Sequence, residues 1–112
     1  MTSIYFNILE KLLRKTNPKL FNTYKLEFKN CFGAVTGYVN GQIFVSCGKF
    51  GIALRLPPKT INELFKQEKV SHLKYFSKGH IKKEYAVIPK SIIHHRKHFK
   101  KLLNKSIKYA FR

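Results

Sequence analysis

The sequence contains no aspartate and no tryptophan, and its only acids are the five glutamates Glu10, Glu27, Glu63, Glu68 and Glu84. So few carboxylates leave no pair to divide general-acid from general-base work. No Ser-His-acid or HExxH arrangement takes their place, so the sequence argues against catalysis. Cysteine is equally scarce: Cys31 and Cys47 are not spaced as CxxC, and there is no second pair. No apolar run approaches the roughly 20 residues of a membrane helix. The start, Met1-Thr2-Ser3-Ile4-Tyr5, lacks the basic residues and apolar run of a secretory leader. A cytoplasmic chain with reduced thiols is therefore expected. A phosphate loop is also missing, because Gly33, Gly37 and Gly41 do not form GxxxxGK[ST] before a helix. Turn, bulge and close-packing roles suit them better. With no repeat or linker, residues 1–112 read as a single domain.

What the chain does have is positive charge. Twenty-three Lys and Arg against five acids give a formal net charge of +18. A field of that sign attracts polyanions, nucleic acid foremost. The hydrophobic fraction of 44%, with ten Phe and six Tyr, supplies a core too large for a disordered chain.

Along the chain, Ser3 reads as the N-cap of a helix with Ile4, Ile8, Leu9 and Leu12 at helical spacing, stopped by Asn17-Pro18. Leu20, Phe21 and Tyr24 fit either a helical turn or a strand. The alternation of Tyr24, Leu26 and Phe28 with Lys25, Glu27 and Lys29 favours a strand. Ala34–Val39 and Gln42–Cys47 are β-prone runs joined by Asn40-Gly41, the preferred pair of a type I′ hairpin. A tight connection at Gly48-Lys49 leads into a third run, Phe50–Leu56. There Phe50, Ile52, Leu54 and Leu56 share a buried face, and Gly51, Ala53 and Arg55 a wetter one. After Pro57-Pro58, Thr60 and Glu63 suggest a capping box on a helix carrying Ile61, Leu64 and Phe65. A polar connection through Ser77-Lys78-Gly79 follows, then a strand from Glu84 to Ile88 closed by Pro89. A last helix is predicted from Ser91 to the C-terminus. Its apolar face holds Ile92, Phe99, Leu103, Ile107 and Ala110, and its opposite face Lys97, Lys101, Lys105, Lys108 and Arg112. These elements predict a two-layer α+β fold, an antiparallel β-meander packed by N-terminal, middle and C-terminal helices.

Several segments, in this order and spacing, carry a family likeness. They are Phe32-Gly33, Gly37-Tyr38-Val39-Asn40-Gly41-Gln42-Ile43-Phe44, Ala53-Leu54-Arg55-Leu56-Pro57, Glu84-Tyr85-Ala86-Val87-Ile88-Pro89 and a helix ending near Tyr109-Ala110. From Cys31 to Ala110 the sequence resembles the N-terminal domain of the TfoX/Sxy family of bacterial competence regulators. That resemblance implies helices packed on an antiparallel sheet. It also implies a role in transcriptional control of DNA uptake, where family members assist the catabolite activator protein. The chain differs in having Cys31 where the family usually has Met, and no Trp in the last helix. It is expected to be a stand-alone version without the family's C-terminal helical domain.

The leading candidate site is the basic face Lys97, Lys101, Lys105, Lys108 and Arg112, whose spacing could track phosphates and after which no acid occurs. Its plainer explanation is a solvated helix face. A basic amphipathic helix also suits a membrane surface, but here the apolar face is needed by the core, so no membrane partner is expected. His94 and His98 stand four apart, as two zinc ligands on a helix would. A third ligand would have to come from His72, His80 or a cysteine, and the surrounding cations repel a dication, so neither metal nor cofactor is expected. Cys47 is in phase with Ile43 and Val45, which makes it a small core residue before a redox group. The expectation is a non-enzymatic regulatory or binding module, with nucleic acid or a transcription-related protein as partner. The alternative is a protein–protein interaction module that touches no nucleic acid and docks its partner on the wetter sheet face or an edge strand.

Overall fold

Asn40 and Gly41 take φ values of 53° and 74°. These are the two positive angles that a type I′ turn requires, and only Gly and Asn adopt them readily. The turn joins β2 (Ala34–Val39) to β3 (Gln42–Gly48), and β1 (Leu26–Cys31) and β4 (Gly51–Arg55) flank the pair, all antiparallel. The predicted meander is thus present in the structure, a computed structural model that describes residues 4–31, 33–67, 71–73 and 82–111. Two further strands extend it. β6 (Lys82–Ile88) lies beside β4, and β5 (Ser71–Leu73) lies outside β6, giving the order β1-β2-β3-β4-β6-β5. β4 and β5 both run antiparallel to β6 and hence parallel to each other. The chain between them passes through α3 (Pro58–Gln67).

α1 spans Ile4–Thr16 and ends at Asn17-Pro18 as expected, with the Asn17 N–H donating to the Leu13 carbonyl at 2.9 Å. Its expected cap, Ser3, and the connection Ser77-Lys78-Gly79 lie outside the described residues. Leu20 and Phe21 form a single helical turn, α2 (Leu20–Thr23), before the alternating segment becomes β1. Two helix boundaries differ from the sequence reading. α3 begins at Pro58, whose missing N–H and fixed φ suit the first helical position. The Ile61 N–H already donates to the Pro57 carbonyl at 3.1 Å, so Thr60 is a buried first-turn residue and not a cap. The last helix is broken into α4 (Lys90–Ile93) and α5 (Arg96–Ala110). His95 caps α5, its Nδ1 accepting from the His98 N–H at 3.3 Å. A side chain that satisfies an amide of the first turn favours a new helix start over continuation.

The core forms where α1 and α5 pack on β3. Leu9 and Leu13 of α1, and Phe99, Leu103 and Ile107 of α5, cluster with Val45, Leu54 and Ala86 of the sheet. Each of the larger of these side chains, Ala86 aside, contributes about 1.5–3 kcal/mol by leaving water. The face expected to be wetter is not wet at its centre. Thr36, Ser46 and Ala53 pair in one row across β2, β3 and β4, and all three are fully buried. The Thr36 hydroxyl donates to the Lys29 carbonyl at 3.1 Å, whereas the Ser46 hydroxyl has no hydrogen-bond partner among the described residues.

Candidate nucleic-acid interface

α5 is fixed to the sheet at two polar points, the first of which depends on a local irregularity. The β2–β3 register shifts between Gly37 and Tyr38, so that Gly37 faces Val45, Tyr38 faces Ile43, and Phe44 has no partner across the ladder. Gly37 is required here: a Cβ would stand 2.8 Å from a Val45 methyl and 3.1–3.2 Å from the rings of Phe28 and Phe44. The carbonyl of Phe44 accepts a hydrogen bond from the buried Ser106 hydroxyl of α5. A bulge thus frees an acceptor, and the helix supplies its donor.

The second point lies near the end of α5. The Tyr109 hydroxyl donates to Glu84 Oε1 at 3.2 Å, and Arg55 Nε donates to Glu84 Oε2 at 3.1 Å. Arg55 also donates from Nη1 to Gln42 Oε1 at 3.3 Å, and its guanidinium lies 5.1 Å from the centroid of the Tyr109 ring. Sequence reading missed this cluster because its members are 13 to 67 positions apart. Only the register, which sets Arg55 opposite Tyr85 and beside Glu84, brings them together.

With Phe99, Leu102, Leu103, Ser106, Ile107, Tyr109 and Ala110 buried, the rest of α5 faces outward. Lys97, Lys101 and Lys108 are exposed, as is Lys100, which the sequence reading left out. Lys105 is half-buried at the margin of this face, and Arg112 lies outside the described residues. The ion pairs among the described residues are Arg14–Glu10 and Arg55–Glu84, so none of these lysines is paired there. Unpaired ammonium groups on one helix face concentrate positive potential without an internal counter-ion. The arrangement presents cations at spacings that could pair with the phosphates of a polyanion.

The other candidates are not assembled. His94 falls in the break before α5, outside the helix that carries His98, so the two do not share one helix face. No group of three or more His, Cys, Asp or Glu able to hold a metal occurs among the described residues. Cys47 is free and buried, and burial pushes its thiol up to about 11, away from the thiolate form that redox or nucleophilic chemistry needs. The Cys31 and His72 side chains and His80 lie outside what is described. Among the described residues no helix is long and apolar enough to cross a membrane.

The fold therefore defines an α+β domain with an antiparallel sheet, and the site a one-sided basic helix. No family model matches the chain, and no curated protein or solved structure matches it either.

Proposed function

We propose that the protein is a non-enzymatic binding module that contacts the phosphates of nucleic acid through the outer face of α5. Such a role would suit a regulator of the kind its sequence resembles, the N-terminal domain of bacterial competence regulators. The observation that carries this reading is the row of exposed lysines Lys97, Lys101 and Lys108, unpaired among the described residues, on a helix that contains no acid. Salt-dependent titration with single- and double-stranded oligonucleotides tests it. Engagement of about five phosphates gives a log K against log salt slope of roughly −4 to −5. Replacing Lys97, Lys101 and Lys108 by Gln should flatten that slope by about 2 to 3. An unchanged slope means that α5 is not the contact surface.

A second reading rests on β1, which is an edge strand of the sheet. Strand addition by a protein partner would use that edge without any nucleic acid. Pull-down of a transcription-related protein that survives nuclease treatment, and is abolished by a proline at the exposed Asn30, whose N–H points away from β2, favours this reading over the first.

A further inference from the structure

A groove with a cavity volume of about 520 Å³ runs between α1 and α4, over the ends of β3, β4 and β6. One wall is the α1 line Tyr5, Ile8 and Leu12. The floor includes Cys47 and Ile52 of the sheet. The opposite wall is Lys90, Ile93 and His94, and no acid lines the groove among the described residues.

Two features set this groove apart from an ordinary surface cleft. First, α1 has more apolar surface than its docking uses. Leu9 and Leu13 are fully buried, while Ile4 and Ile8, one turn apart, remain 69% and 47% exposed. Ile8 stands on the groove wall, so the apolar surface runs from the groove out along the helix. Second, the lining is polarised. Its charged side chain, Lys90, and its imidazole, His94, both stand on the α4 wall. The α1 wall and the floor are apolar apart from the Tyr5 hydroxyl and the Cys47 thiol. The raised titration of Cys47 is in keeping with a floor that disfavours charge. The volume falls within the range of small-molecule sites, roughly 300–1,000 Å³, where a mostly apolar lining and a few placed polar groups fix the ligand's orientation.

We propose that this groove binds a single-chain anionic amphiphile, a fatty-acid carboxylate, with its acyl chain along Tyr5, Ile8 and Ile52 and its head group at Lys90 and His94. The net charge of +18 raises the local concentration of anions and disfavours a cationic head. A neutral lipid would leave Lys90 without a role. An extended peptide would bring backbone donors and acceptors into walls that offer few partners. A helical peptide, about 10 Å across, would lie over the groove and not within it. The proposal is independent of the α5 lysines.

The test is titration of the isotope-labelled full chain with decanoate below its micelle concentration, read by amide and methyl shifts and by calorimetry. Saturable one-to-one binding is expected, with shifts confined to α1, α4, the β3–β4 turn with its flanking residues, and the end of β6. Ile8→Glu, at a position exposed enough to leave folding intact, should weaken binding at least tenfold. Lys90→Gln should weaken decanoate several-fold and leave decanol unchanged. The triple Lys97, Lys101 and Lys108→Gln variant should bind decanoate as the parent does, which separates this site from the nucleic-acid surface. Non-saturable binding, equal binding of decyltrimethylammonium, shifts centred on α5, or indifference to Ile8→Glu would each overturn the proposal. So would an acidic amphipathic peptide that seats in the groove when decanoate does not, which would assign it to a protein partner.

Discussion

α1 and α5 are similar in length, 13 and 15 residues, and both pack on β3 and touch each other. They use their surfaces differently. α5 buries seven residues, including all of its leucine and isoleucine, and leaves lysines outside. α1 buries Leu9, Leu13 and Thr16 and leaves two isoleucines in water. The contrast separates two kinds of surface. Cations on the outside of a fully docked helix cost the fold little, and they present charge. Isoleucines on the outside of a partly docked helix gain nothing from water, and here one of them, Ile8, borders a groove.

The comparison breaks first at the core. Phe99→Ala should lower stability by about 3–5 kcal/mol in urea unfolding, because a fully buried ring on α5 leaves a cavity. Ile8→Ala on α1 should cost under about 1 kcal/mol, since much of that side chain is already wet. Comparable losses would mean that the two helices are docked alike. Next in size is a pair of buried serines. Ser106→Ala removes the donor to the Phe44 carbonyl and should cost about 1–3 kcal/mol. Ser46→Ala removes a buried hydroxyl that has no partner among the described residues, so it should be neutral or stabilising in the same assay. A loss at Ser46 equal to that at Ser106 would show that polar anchoring is not particular to α5.

Sequence reading reached the features that depend on neighbours along the chain. Asn40-Gly41 marked its hairpin because both residues tolerate positive φ, and the actual angles are positive. The spacing of Phe99, Leu103, Ile107 and Ala110 marked the buried face of α5, and with it the outward lysines Lys97, Lys101 and Lys108. Features that depend on distant pairing were hidden. β5 is three residues long and carries no pattern of its own. The burial of Thr36, Ser46 and Ala53 follows from their lying in one row at the centre of a six-stranded sheet, which hydropathy along a single strand does not show. The break at His94-His95 was missed because the apolar spacing continues across it, from Ile92 to Phe99, while a histidine cap restarts the helix between them. The groove was invisible for a related reason: Ile4 and Ile8 fit the same helical stripe as Leu9, and only the packing shows which of them stay outside.

The smallest expected effect concerns the floor beneath α1. Cys47 is 2% exposed, and burial raises its thiol from an ordinary 9.0 to about 11. The thiol is therefore neutral at pH 7 in both folded and unfolded chains, and it contributes no pH dependence there. Above about pH 9 the unfolded chain loses this proton more readily than the folded one, so stability should fall as pH rises toward 11. Lysines and tyrosines titrate in the same range, so the measurement is the difference in urea midpoint between the parent and Cys47→Ala, followed from pH 7 to 10.5. The difference should be flat to about pH 8 and then narrow. In a Cys31→Ser background, where Cys47 is the remaining thiol, alkylation by iodoacetamide should be slow at pH 7 and still rising past pH 9. A rate that levels off near pH 9 would mean that water reaches the groove floor freely. The α1 side of the molecule would then be open, and its contrast with α5 would be one of exposure throughout and not only at Ile4 and Ile8.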